Sequence, residues 1–420
     1  MKKYLVLSLL FGVCLAPCAL PAATPRATFI TPTLTIDQNE FALDLYGQLR
    51  RVPGNFFFAP YSISTALGMV YAGAKAGTAD EISKTLHLQN LVPANGGDLL
   101  GAYLKDFFAQ PALGDTELDG SKFETANALW GANHYDFQPT YISIIKTDFS
   151  GDLRRVNFGN TTAASNKINS WVAFQTHGNI PSIVSPLMLN KYTRLILTNA
   201  VYFKGGWAQP FYPGNTQKAP FYVTPSDEVR GATMDMTSIF GYAEDDSVQM
   251  LVLDYRYGDT SMIIVLPKAK DGLPALEADL TLSKLSTLLA TIRPSLVHVT
   301  LPKFSADNTF DMIPALKTLG LRQVFDPKQS NLTGIAIDPS RPLYVNFIIH
   351  KAHLDVDEVG TEVAAATAIG VAVAASAPAP QQGPPPVPIP FIANHPFLYF
   401  IRDNANGQIL FMGRIEDPTI

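Results

Sequence analysis

Residues 361–390 read TEVAAATAIGVAVAASAPAPQQGPPPVPIP, a strand-forming tract fused to one that cannot join a sheet ladder. No proline occurs from Thr361 to Ala377, and seven occur from Pro378 to Pro390. Proline has no amide hydrogen to donate, so the second half is barred from the interior of a sheet. The first half alternates. In an extended chain Thr361, Val363, Ala365, Thr367, Ile369, Val371 and Val373 point one way. Glu362, Ala364, Ala366, Ala368, Gly370, Ala372 and Ala374 point the other way. One face is mostly β-branched and the other is almost all Ala or Gly. No charge follows Glu362 until Arg402, so the tract can enter a sheet without burying an ionised side chain. A plain linker has no reason to keep β-branched residues on one face.

A sheet able to receive such a strand needs a large core, and the chain can build one. It has 420 residues, 47% hydrophobic and only 16% charged, which is globular composition. Residues 1–22 read as a secretory signal. Lys2 and Lys3 supply the positive start, Tyr4 to Leu15 the apolar run, and Ala22 and Ala23 the small residues for cleavage. Secretion or a periplasmic location is therefore expected. Both cysteines, Cys14 and Cys18, lie inside that segment, so the exported chain would lack a disulfide and a thiol nucleophile. Leu15-Ala16-Pro17-Cys18 faintly resembles a lipoprotein attachment box, with Pro17 a poor fit, and lipid anchoring at Cys18 is the lesser alternative. Without the signal, 29 basic and 36 acidic residues remain, a net charge of −7. No basic run points to nucleic acid.

No internal repeat is evident, and no linker divides the chain before residue 375. Helical periodicity predicts helices over 38–51, 61–75, 79–87, 97–110 and 164–175, with Thr78 as an N-cap. Strand patterns cover 195–203, 249–255, 261–266, 296–304, 343–357, 397–402 and 408–414. Helices early and strands late favour an α+β fold over a βαβ array. In 343–357, Val345, Phe347 and Ile349 alternate with Asn346, Ile348 and His350.

Catalytic signatures are missing: there is no G-x-S-x-G, P-loop, G-x-G-x-x-G or H-E-x-x-H. This argues against a secreted hydrolase. His350 and His353 would suit a metal on a helix, but in a strand their odd spacing sends them to opposite faces. Asp355 and Asp357 read as a solvated pair. Sequons stand at Asn160 and Asn331. No cofactor is expected.

Seven stretches, in order, then carry a resemblance. They are NFFFAPYSISTALGMVYAGAKAGTADEI (55–82); Trp171-Val172 with Thr176-His177-Gly178-Asn179-Ile180; TNAVYFKGGW (198–207); LPKF (301–304); LKTLGLRQVF (316–325); HKAHLDVDEVGTEVAAAT (350–367); and HPFLYFIRD with ILFMGRIEDP at the end. From about residue 36 to 418 the chain resembles the serpins. The resemblance implies one domain over 36–420 after a tail at 23–35, with eight or nine helices, three β-sheets and an exposed reactive-centre loop over 358–390. In that family the loop is bait. A serine protease acylates itself on it, the loop inserts as a new strand of the large sheet, and the trapped protease is distorted before it can deacylate. The partner is thus a target protease in a covalent complex with a monomeric inhibitor.

Residue by residue, the resemblance implies a hinge made of Glu358, Gly360, Thr361, Val363, Ala364, Ala365, Ala366 and Thr367. Val363 departs from the usual alanine, and slower insertion is expected. Trp207, Lys303 and Glu358 resemble the breach cluster where insertion begins, with a Glu358–Lys303 pair implied. Ser62, Asn199 and His350 resemble the shutter beneath the sheet, where Ala59 replaces the usual serine and removes a hydroxyl. Counting seventeen residues from Glu358 gives Ala374–Ala375 as the reactive bond, with Val373 the alternative P1. Counting back from His395-Pro396-Phe397 gives a position near Pro385 instead. The forward count is preferred because the sheet fixes the inserted length, which puts the extra residues in the proline tract. Small apolar residues at 371–374, with no Lys or Arg between 352 and 401, point to elastase-like or subtilisin-like proteases. Papain-like cysteine proteases are outside candidates, and a non-inhibitory carrier is the rival within the family.

Overall fold

The computed structural model describes residues 32–88, 122–149, 151–338, 340–361 and 386–420. The predicted signal, the predicted helix 97–110 and most of the bait tract lie outside them. In chain order the described elements are α1 (Pro32–Leu49), β1 (Phe56–Phe58), α2 (Pro60–Tyr71), α3 (Ala76–Thr85), β2 (Lys122–Ala132), α4 (Pro139–Asp148), β3 (Asp152–Val156) and α5 (Thr161–Gln175). There follow β4 (Leu195–Gly206), β5 (Gln217–Tyr222), β6 (Glu228–Glu244), β7 (Val248–Asp254), β8 (Thr260–Pro267), α6 (Leu273–Ala278), α7 (Leu282–Ala290) and β9 (Arg293–Pro302). The chain ends with β10 (Phe304–Asp311), α8 (Ile313–Thr318), β11 (Val345–Val356), β12 (Gly360–Thr361), β13 (Ile389–Ile392), β14 (Phe397–Asp403) and β15 (Ile409–Ile415). The class is α+β, as the order of periodicities predicts.

The strands form two hydrogen-bonded sheets among the described residues. One has six strands in the order β10-β11-β12-β4-β2-β3, with β11 also paired to β4. The other has nine, β1-β15-β14-β8-β7-β6-β9-β13, with β5 on β6. Three sheets were expected. Here β6 is 17 residues long, and it pairs β5 and β9 along most of its length before its last residues, Gly241–Glu244, pair β7. One strand therefore joins what would otherwise be separate layers. The core between the sheets is aromatic: Phe57 stacks on Phe411 at 4.8 Å, and Phe203 meets Tyr255 edge-on at 5.0 Å.

Two local expectations need correction. Thr78 does not cap α3; Lys75 holds the N-cap position, and the Thr78 hydroxyl accepts the Asn331 N–H at 3.0 Å from inside the helix. The strict alternation of 343–357 also fails at its start. The register of β11 on β4 shifts between Val345 and Phe347, leaving Phe347 half-buried while Ile348, Ile349 and His350 are all buried. An irregularity of this kind turns the following side chains relative to the face set before it. α1 begins at Pro32, ahead of the predicted 38.

Candidate functional site at the head of the six-stranded sheet

β4 and β11 run parallel at the middle of the six-stranded sheet, in continuous register from Phe347↔Ile196 to His353↔Tyr202. Past Val356 the chain reverses. The Asp357 N–H donates to Gly360 O at 2.9 Å, and Asp357 Oδ1 accepts from the amides of Val359 (2.8 Å) and Gly360 (3.1 Å). A short acidic side chain that binds the amides just ahead is a turn former. Asp357 is therefore a turn residue, not a solvated partner of Asp355. The turn drives Gly360 and Thr361 between the two strands, where Thr361 pairs with Val356 on one side and with Gly205 on the other. A Cβ on Gly360 would lie 2.1 Å from Gly205 O, so only glycine fits. Thr361 is fully buried, and its hydroxyl meets that of Tyr255 at 2.6 Å.

The three residues that the resemblance groups at the breach come together here. Lys303 Nζ donates to Glu358 Oε2 at 2.8 Å, and Thr216 Oγ1 donates to Glu358 Oε1 at 2.7 Å. The Glu358 carbonyl accepts from the Phe211 N–H at 2.8 Å. Burial alone raises the Glu358 carboxyl, but the hydrogen bonds from Lys303 and Thr216 outweigh it and hold the pKa below the ordinary glutamate value. Trp207 contributes twice: its backbone N–H donates to Val359 O (2.8 Å) and its indole Nε1–H to Asp357 O (2.9 Å). The buried indole stacks on Tyr255 with centroids 4.7 Å apart. Both ends of the turn are thereby fastened to the sheet.

Lower down, Ser62, Asn199 and His350 also meet. Cross-strand register sets Asn199 opposite His350 on β11 and opposite Asn127 on β2, making a polar row across three strands. The Asn199 amide donates to Ser62 O at 2.9 Å and to Ser62 Oγ at 2.5 Å, and it also reaches Asn127 Oδ1. His350 Nε2 accepts the Ala59 N–H at 3.1 Å, which leaves Nδ1 as the donor to Asn199 Oδ1. All of His350 is buried, and burial pulls its pKa down to about 3. His353, three residues on, faces the other way and pairs with Asp355 at 3.0 Å. The two histidines share no site, and among the described residues no group of three or more His, Cys, Asp or Glu could hold a metal.

Val363, Ala364, Ala365, Ala366, Thr367, Val373, Ala374 and Ala375 lie outside the described residues. Sequence reading missed Asn127, Thr216 and Tyr255. A lone asparagine in an unrecognised strand, a threonine in a turn and a tyrosine after a strand carry no local signal; only cross-strand register and packing bring them to the site.

Residues 37–418 match the family model described as serpin (serine protease inhibitor). Leukocyte elastase inhibitor A of Mus musculus is 35% identical over 392 residues, spanning 90% of this chain and 97% of that protein. Leukocyte elastase inhibitor of Xenopus tropicalis is 34% identical over 392 residues, with the same two coverages. Among solved structures, Serpin48 of the insect Tenebrio molitor superposes with a TM-score of 0.79 at 30% identity, covering 93% of this chain and 99% of that one. With its two-sheet core, the turn that seats Gly360–Thr361 between β4 and β11, and this likeness over nearly its full length, the chain belongs to the serpin family.

Proposed function

We propose that this serpin inhibits elastase-like or subtilisin-like serine proteases as a suicide substrate, cut between Ala374 and Ala375 and trapping the acylated enzyme by loop insertion. The chain then acts as a consumed bait and not as a catalyst. The observation that carries this reading is the seat of Gly360–Thr361 between β4 and β11. The alternating, proline-free tract begins at the point where those two strands part. Its route is the seam of the β4–β11 parallel pairing, and parallel pairing is slightly weaker per residue than antiparallel.

Insertion would bury the apolar inward side chains Val363, Ile369, Val371 and Val373 and add ladder hydrogen bonds, and both gains work against the cost of ordering the loop. About 15 residues of strand span about 50 Å, enough to carry a protease across the domain. The proline tract stays behind on the primed side. That the Xenopus tropicalis and Mus musculus relatives are named leukocyte elastase inhibitors supports elastase-directed specificity.

Residues 1–22 as an export signal and a monomer acting outside the cytoplasm complete the proposal. Incubation with elastase, trypsin and chymotrypsin tests it. Elastase should yield a complex that survives SDS, and mass spectrometry of the released peptide should begin at Ala375. Cleavage by elastase with no complex would instead favour the non-inhibitory carrier reading.

A further inference from the structure

A cavity of about 550 Å³ lies against the β5-β6-β9-β13 part of the larger sheet. The sheet curls enough that the Tyr222 N–H at the end of β5 donates to Asn394 O just beyond β13, at 2.8 Å. Nearly closing the strand set in this way leaves a cup lined from all four strands. The volume lies within the range of small-molecule sites. Its apolar surface comes from Phe221, Pro220 and Ile392. Its neutral polar surface comes from the amides of Asn215, Gln217 and Asn394 and the hydroxyls of Thr233 and Thr300. These groups both donate and accept, so they do not select the sign of a ligand. Asp235 does. It is the one formally charged residue of the lining, and its carboxylate is oriented by His298 Nε2 at 2.8 Å.

The cup also touches the hinge. Asn215 and Gln217 flank Thr216, whose hydroxyl holds Glu358. Next to the lining residue Thr233, Ala232 O accepts the backbone N–H of Lys303 at 2.7 Å, and Lys303 holds the other oxygen of Glu358. Both clamps on the carboxylate therefore grow from the rim of the cavity.

We propose that this cup binds small organic amines with an apolar body, the ammonium on Asp235 and the body against Phe221 and Ile392, and that occupancy steadies Thr216 and Lys303 on Glu358. Binding does not depend on the inhibitory reading. Only its consequence for loop insertion rests on that reading, so the test uses no protease.

Three probes sharing one indole body separate charge from shape: tryptamine, tryptophol and indole-3-acetate, titrated calorimetrically into the full chain. Tryptamine should bind at least about tenfold tighter than the other two, the worth of one good charged contact. Asp235→Asn should remove that preference, and Ala219→Leu, which fills the cup, should weaken all binding. Hydrogen exchange at the amides of Val359 and Gly360 should slow when tryptamine is bound. Equal affinity for the three probes, or an Asp235→Asn variant that folds normally and still prefers tryptamine, overturns the site. Unchanged exchange at 359 and 360 with tryptamine bound overturns the link to the hinge.

Discussion

The backbone N–H of Ala59 donates to Nε2 of His350 at 3.1 Å, and this single contact fixes which ring nitrogen carries the proton. The resemblance implies a serine at position 59, and Ala59 removes its hydroxyl. The main chain supplies the donor that the ring needs, so the identity of the side chain at 59 matters little there. The ring is then committed to the neutral form: one nitrogen accepts from Ala59 and the other donates to Asn199.

Stability should therefore fall with acid. The folded pKa of His350 is depressed to about 3, below an unfolded value of about 6.5. Its contribution is complete above the unfolded value and is lost as pH drops toward the folded one, because only the unfolded chain takes up the proton. Between about pH 7.5 and about pH 5 this single group should remove about 2 kcal/mol, at about 1.4 per pH unit. Urea midpoints at the two pH values measure it, and His350→Gln should flatten the difference even if it lowers both midpoints.

Breaking the Lys303–Glu358 pair should loosen the turn before it unfolds the domain. The Glu358 side chain is only 11% exposed, so Lys303→Met leaves a carboxylate short of a partner in a poorly hydrated place. A loss of about 1–3 kcal/mol is expected. Amide exchange at Val359 and Gly360 should rise well before that of β4. Thr216→Val should do the same more mildly, and protection left intact in Lys303→Met would count against the clamp.

Gly360→Ala should expel β12 from the sheet. The added methyl carbon would sit 2.1 Å from Gly205 O and 2.7 Å from Gly206 Cα, both main-chain atoms that cannot swing aside. The Trp207 N–H would then lose Val359 O, and the indole its stop against the turn. Trp207 fluorescence should shift to the red, and the melting temperature should drop by a few degrees, about 1 °C per kcal/mol for a domain this large.

Thr361→Arg should convert an inhibitor into a substrate. The wild-type hydroxyl is buried against Tyr255, and an arginine there can insert only by burying its charge. With elastase, the yield of SDS-resistant complex should fall and that of cleaved, released chain should rise. An unchanged yield of complex would mean that insertion does not proceed through this position.

Much of this protein is written in short-range pattern. Short apolar runs mark β4, β7, β8, β14 and β15, buried almost throughout, and the absence of proline followed by its abundance marks the tract proposed to insert and its limit. Glu358, Gly360 and Thr361 were legible only through the family resemblance, and Asp357, which reads as a solvated residue, became a turn former once it accepted the Val359 and Gly360 amides. Tertiary structure decided the rest. β2 and β3 read poorly as strands and became strands by pairing, β2 with β4 and β3 with β2, and α6 and α8 are too short to show a helical period. Only register across β2, β4 and β11 could place Asn127, Asn199 and His350 in one row. Only folding could bring Thr216 and Lys303 to the two oxygens of Glu358, from positions 142 and 55 residues away. Sequence periodicity reports which face of an element is buried; which distant element covers that face depends on how the whole chain packs.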